Sequence, residues 1–170
     1  MDELLLRAPF ELREYRTMMS AYPTGVSDVT ATDDEGRRRA MVVGSLTSIS
    51  LSPPLIGFFP DKMSTSWPPI GRAGRFCVNI LGTHQLDLCD RFAVRAEDKF
   101  AGLVHGFSPS GQPLLDEVVA WMDCAIDRVI EIGDHWLVVG AVEAMGRSGD
   151  RDALLFHRGS YVGVAGKEAR

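Results

Sequence analysis

A mostly antiparallel β-barrel decorated with helices is the fold class this sequence predicts. Three observations predict it. About seven short β-rich segments stand against only two or three helical ones. No alternating strand–helix–strand rhythm runs along the chain. The longest regular signal is a hairpin, Val118–Ile132 and His135–Met145, turned by Gly133-Asp134.

The elements follow in chain order. From Pro9 to Tyr22, the residues Leu12, Tyr15, Met18, Met19 and Tyr22 recur at spacings of three and four. That is one face of an amphipathic helix, with Pro9 acceptable near its first turn. Pro23-Thr24-Gly25 ends it. Gly25 to Thr32 reads as a strand on its β-branched Val26, Val29, Thr30 and Thr32. Asp33-Asp34-Glu35-Gly36 is a turn, and Arg39 to Gly44 returns as the second arm of a hairpin. Leu46–Leu51 and Leu55–Phe59 are short strands parted by Pro53-Pro54, which cannot both lie in a central ladder. Ser64 or Thr65 caps a short helix running through Ile70, with Pro68 or Pro69 in its first turn. Phe76–Leu81 is a compact strand. From Thr83 or His84 to Phe92 a helix gathers Leu86, Leu88, Cys89 and Phe92 near one face, and Asp98–Leu103 adds a helical turn. In the late hairpin Trp136, Val138 and Gly140 alternate with Leu137, Val139 and Ala141, so both faces read as buried. A last strand, Ala153–Phe156, leads into Arg158-Gly159-Ser160-Tyr161.

Composition bounds the function classes. The 170 residues fit a single domain, 1–170, burying roughly 70% of its unfolded surface. Hydrophobic residues at 45% and charged ones at 24% are ordinary for a soluble globular chain. Net charge is −5, and the longest basic tract, Arg37-Arg38-Arg39, sits at a turn where it reads as a solvated hairpin tip. Nucleic acid is therefore not an expected partner. Cys77, Cys89 and Cys124 are odd in number and widely spaced, and they read as small buried hydrophobes in a reducing compartment. No signal-peptide pattern opens the sequence and no run of 18 apolar residues occurs, so a cytoplasmic protein with no membrane partner is expected.

Common catalytic machinery is missing. The sequence has no GxGxxG after a strand, no GxxxxGK[ST], no GxSxG and no HExxH. His84, His105, His135 and His157 are too scattered to propose a metal site, and no carboxylate pair stands out as acid and base. If the chain is an enzyme, a cofactor brings the reactive group. One stretch suits such a cofactor: Gly44-Ser45-Leu46-Thr47-Ser48-Ile49-Ser50-Leu51-Ser52-Pro53-Pro54, followed by Ser64-Thr65-Ser66-Trp67. A buried hydroxyl without a partner costs about 1–3 kcal/mol, so a plain core strand would not carry so many. Either these residues present donors to a phosphate or a flavin ring edge, or they form an edge strand with solvated Ser and Thr.

These blocks, with others in the same order, resemble the short-chain flavin reductases, the NAD(P)H-dependent partners of two-component flavin monooxygenases. The matching segments include Tyr22–Val26, Thr30-Ala31, Ser45–Leu55 and Ser64–Trp67. They continue with Phe76–Leu81, Asp98–Gly102, Gly133–His135 and Leu154–Tyr161. The resemblance implies the FMN-binding split-barrel fold, an antiparallel split β-barrel, and a homodimer. The Met and Tyr face of the first helix would then belong to the dimer contact or to the barrel's own cover. It implies FMN or FAD, with NADH or NADPH as donor, passing a hydride from nicotinamide C4 to flavin N5. Reduced flavin would then diffuse to a separate monooxygenase. The absence of an obvious arginine cluster for a 2′-phosphate favours NADH.

Residue roles follow from the same resemblance. Gly44, Ser45, Leu46, Thr47 and Ser48, with Ser50 and Leu51, would line the flavin ring and ribityl chain. Thr65, Ser66 and Trp67 would meet the phosphate, with Lys62 adding a charge. Asp98 and Lys99 match a further flavin-contacting pair. His135 would stand near the nicotinamide as the catalytic histidine, and Phe156, His157, Arg158 and Gly159 would touch the nicotinamide nucleotide. The sequence departs from the family pattern where Gly44 replaces an amide side chain, Ser52 an acid and Asp28 an apolar residue. Pro68-Pro69 stiffens the helix start beside the phosphate. Asp28 is expected to face solvent or a partner. A flavin- or deazaflavin-dependent oxidase on the same barrel, or a flavin- or haem-binding sensor, would also fit the pattern.

Overall fold

The long hairpin frames the molecule. In the computed structural model, which describes residues 8–94, 96, 98–148 and 151–164, β9 (Ala120–Ile132) and β10 (His135–Arg147) are 13 residues each. They pair from His135↔Ile132 at the Gly133 turn to Arg147↔Ala120 at the far end. Around them lie β2 (Ser27–Thr32), β3 (Arg38–Val43), β4 (Thr47–Leu51), β5 (Pro54–Phe58) and β6 (Arg75–Ile80). The seven strands run in the order β3-β2-β6-β9-β10-β5-β4, every pair antiparallel.

This sheet curls upon itself. Val43 on β3 and Ile56 and Phe58 on β5, near its opposite ends, share one buried cluster with Phe76, Val78, Cys124 and Val138. Trp67 and Ile70 of helix α2 (Trp67–Ala73) join that cluster. The edges β3 and β4 are not paired with each other, so the barrel is split there. Close packing sets some residue choices. At Gly140 an added Cβ would fall 2.5 Å from the Phe76 ring, so the sequence leaves that position bare.

A second cluster covers the outer face of β2, β3 and β6. Leu88, Cys89 and Phe92 of helix α3 (Leu86–Ala93) pack with Val26, Ala40, Leu81, Phe100, Leu115, Val118 and Leu154. A small sheet of β1 (Thr24–Gly25), β11 (Leu154–His157) and β12 (Ser160–Gly163) and a short hairpin of β7 (His105–Phe107) and β8 (Pro113–Leu115) complete the strands. All three cysteines are free and buried. Among the described residues no helix is long and apolar enough to cross a membrane.

Several sequence expectations are corrected. Asp98–Leu103 forms turns and no helix, because Asp98 Oδ1 takes the Phe100 N–H at 2.9 Å and Gly102 turns left-handed at φ +70°. Helix α1 (Leu12–Ser20) buries no residue, so its apolar face does not serve as the barrel's own cover. On β10 only Val138–Gly140 are fully buried. The Arg37–Arg39 triplet is not a free tip, since Arg37 and Arg39 both reach Asp33. Asp28 faces no solvent: it is 0% exposed. Among the described residues β1, β7, β8 and β12, of two to four residues each, stand beyond the strands that were expected.

Candidate functional site

A cleft of about 710 Å³ opens beside the split, where the start of α2, strand β3 and the end of α3 converge. Strand β3 supplies Arg38 to Val42, the loop before α2 supplies Met63 to Ser66, and Phe92 to Val94, Ala96 and Lys99 close the third side. Local bonds shape the loop. Asp61 Oδ1 accepts the Met63 N–H at 2.7 Å, its carbonyl accepts the Ser64 N–H at 2.9 Å, and Ser64 Oγ accepts the Trp67 N–H at 3.3 Å. Thr65 and Ser66 are thereby set on the cleft wall.

The charge of this wall is one-sided. Arg38, Arg39 and Lys99 line it, and no carboxylate does so among the described residues, although the chain is acidic overall. Lys99 Nζ donates to the carbonyls of Phe92 at 2.5 Å and Ala40 at 3.4 Å, which fixes it between α3 and β3. Burial lowers its pKa and Asp28 opposes that shift. Asp28 pairs in register with Val42 on the wall, and neither of its buried oxygens has a hydrogen-bond partner. Burial pushes its carboxyl well above the ordinary range, more strongly than Lys99 pulls it down. Apolar Met41, Val42, Pro69, Phe92 and Val94 alternate with the cations and hydroxyls. Such a lining suits a flat, partly apolar group carrying phosphate. It therefore fits a flavin nucleotide, whose phosphate would meet Thr65, Ser66 and Lys99. Helix α2 has seven residues, so the phosphate would depend on side chains more than on a helix dipole.

Of the residues singled out in the sequence, Thr65, Ser66 and Lys99 meet in the cleft. Asp98 lines an adjoining cavity of about 540 Å³ with Gly36, Arg37 and Arg38. The hydroxyl-rich run lies elsewhere. Ser45 Oγ accepts the Phe59 N–H at 2.9 Å, tying the chain to the end of β5. Leu46 packs on the inner core. Thr47, Ser48, Ser50 and Leu51 lie on the exposed edge strand β4, with Leu51 91% exposed. Gly44 sits against β1, where a Cβ would come within 2.9 Å of Thr24 Oγ1, so an amide side chain has no room. Trp67 is 7% exposed and meets Phe58 edge-on at 5.8 Å between ring centroids.

A further group gathers at the β9–β10 turn. Lys62 pairs with Glu131, donates to the Gly133 carbonyl at 2.5 Å and lies over the Trp136 ring at 5.4 Å. His135 Nδ1 is 2.7 Å from Asp134 Oδ1, and His135 forms an isolated bridge with Asp61. That hydrogen bond to His135 holds the Asp134 carboxyl below its ordinary range. Phe156 stacks edge-on with Tyr161 at 5.2 Å, and His157 ends β11. Arg158 and Gly159 form the left-handed turn into β12, and the Arg158 N–H reaches the Ser20 carbonyl at 2.9 Å. These two residues line an open groove of about 600 Å³ with Arg13, Arg16 and Thr17 of α1. Folding thus brings Arg158 beside Arg13 and Arg16, which lie three residues apart on α1. Among the cleft residues, sequence reasoning missed Arg38 and Arg39, and the Arg37–Arg39 triplet was the available signal.

An antiparallel split barrel with a cationic, hydroxyl-lined cleft at its open edge defines a class of flavin-handling proteins, and comparison with known proteins gives the family. Residues 19–165 match the family described as flavin reductase like domain. The chain is 49% identical over 161 residues to a flavin reductase of Pseudomonas putida, covering 95% of each. It is 41% identical over 152 residues to HsaB, the reductase subunit of a flavin-dependent monooxygenase of Rhodococcus jostii RHA1, covering 89% of this chain and 77% of that one. Among solved structures, the NADH:FAD oxidoreductase SgcE6 of Streptomyces globisporus C-1027, in complex with NAD and FAD fragments, superposes with a TM-score of 0.89 at 30% identity. That match covers 97% of this chain and 99% of the other. The chain belongs to the flavin reductase like domain family.

Proposed function

We propose that this chain is an NAD(P)H:flavin oxidoreductase that reduces FMN or FAD for a separate monooxygenase. The observation that carries the reading is the cleft wall, where Thr65, Ser66 and Lys99 meet two arginines with no carboxylate among the described lining residues. Family membership and the relatives' own activities support it. The chemistry belongs to the two bound nucleotides, a hydride passing from nicotinamide C4 to flavin N5. The protein binds and orients them: Lys99 and the hydroxyls hold the phosphate end, and Met41, Val42 and Phe92 offer apolar walls. In this reading His135, oriented by Asp134, takes the nicotinamide side, and Arg158 and Gly159 take part of the donor nucleotide.

The same reading makes residues 1–170 one cytoplasmic domain that works as a homodimer. The apolar face of α1, with Leu12, Tyr15, Met18 and Met19 exposed among the described residues, supports the second copy. Reduced flavin would reach the oxygenase by diffusion. The test is oxidation of NADH and of NADPH with and without added riboflavin, FMN or FAD. Flavin-dependent consumption of either donor is expected. Consumption that ignores flavin, or none at all, overturns the reading.

A further inference from the structure

Arg38 stands at a boundary. It lines the 710 Å³ cleft with Ser64, Thr65, Ser66 and Lys99, and it also lines the 540 Å³ cavity next door with Gly36, Arg37 and Asp98. Its two neighbours in the triplet are engaged, Arg37 with Asp33 and Glu35, and Arg39 with Asp33. Among the described residues Arg38 has no carboxylate within ion-pair distance. An arginine fork between two cavities, aimed by a strand whose flanking arginines are fastened, is suited to a bridging group with two or more phosphate oxygens. One phosphate would already be served by Thr65, Ser66 and Lys99. The adjoining cavity of about 540 Å³ offers room beyond that phosphate. Asp98 there spends one carboxylate oxygen on the Phe100 N–H and keeps the other for a hydroxyl donor.

We propose that Arg38 holds the diphosphate of FAD, with the flavin half in the main cleft and the adenylate half in the adjoining cavity, so that this site prefers FAD over FMN and riboflavin. The inference rests on the flavin reading of the cleft and adds to it the identity of the flavin. Arg38 is a specificity residue: it contacts the diphosphate, which the ribityl chain separates from the reacting ring. Its loss should change which flavin binds before it changes how fast a bound flavin is reduced.

The test measures dissociation constants of FAD, FMN and riboflavin for the whole protein and for Arg38→Gln, by quenching of flavin fluorescence. The wild type should bind FAD at least tenfold more tightly than FMN. Arg38→Gln should weaken FAD about tenfold, equivalent to about 1.4 kcal/mol, while FMN changes less than about threefold and riboflavin not at all. Because Arg38 is exposed, the variant should fold, and its riboflavin affinity reports that the cleft is intact. Equal binding of FAD and FMN by the wild type overturns the inference and leaves the flavin reading standing. So does an Arg38→Gln variant that weakens FAD and FMN alike, or that keeps the FAD preference. Failure of all three flavins to bind overturns the flavin reading as well.

Discussion

Arg39 Nε lies 2.8 Å from Asp33 Oδ2, and through that contact a turn at the edge of the barrel is fastened to the wall of the cleft. Asp33 Oδ1 also takes the N–H groups of Glu35 and Arg37, at 3.0 and 2.9 Å. One carboxylate thus sets the turn and aims the strand that carries Arg38.

Asp33 ties stability to acid. Burial alone would raise the Asp33 carboxyl, but the Arg37 N–H, the guanidinium groups of Arg39 and Arg37 and the Glu35 N–H outweigh it. They hold it well below the ordinary carboxylate range. A depressed folded-state pKa contributes stability above the unfolded value of about 3.9, lost as the pH falls below that toward the folded value. Asp33→Asn should lower the melting temperature at pH 7, and the gap from wild type should narrow below about pH 4. A gap unchanged by acid would contradict the assignment.

Asp28 has the opposite sign. Its raised pKa means that the folded state keeps a proton the unfolded state releases, so its contribution to stability worsens as pH climbs past about 3.9. Asp28→Asn preserves shape and removes the charge. It should melt above wild type at pH 8, and that advantage should shrink toward pH 4. Thermal melts across that range read the slope directly.

Gly44 makes a packing prediction. A methyl group there would stand 2.9 Å from Thr24 Oγ1. Gly44→Ala should destabilise by about 1–3 kcal/mol in chemical denaturation. Combining it with Thr24→Ala should recover part of that loss, since the two sites share one contact. Strict additivity in the cycle would show that the clash is relieved some other way.

His135 makes a kinetic prediction that follows from the proposed function. His135→Ala should slow flavin reduction by about 10- to 100-fold, the range expected when orientation of a reactant is lost. Flavin affinity should stay within about twofold of wild type, because His135 does not line the cleft. A normal reductase rate would remove His135 from the donor site.

Legibility in the sequence followed length and periodicity. The β9–β10 hairpin, the β2–β3 hairpin, the α3 face of Leu88, Cys89 and Phe92, and the buried cysteines were all readable, because each has several residues repeating one pattern. The β7–β8 hairpin was not, since its strands of three residues are too short to alternate. Asp98–Leu103 carried helix-compatible residues, yet a side-chain bond to its own backbone made turns cheaper. Of the residues that line the cleft, Thr65, Ser66 and Lys99 lie in the family blocks. Arg38 and Arg39 were hidden because a run of three arginines after a turn reads as solvated until Asp33 is seen beneath it. Asp28 was hidden for a similar reason: nothing in a linear string shows that this acid is fully buried on β2.

Strand β4, unpaired on its outer side, also bears on how the protein behaves in a crowd. An open row of N–H and C=O groups invites a foreign strand, and long flat edges of this kind seed aggregates. Here the edge is five residues long, a register shift falls between Ser48 and Ser50, and the chain turns back at Ser52-Pro53 directly after it, with Pro54 already opening β5. The serines and Thr47 keep its exposed side wet. The split in the barrel is therefore bordered by a strand built to discourage any other chain from zipping onto it.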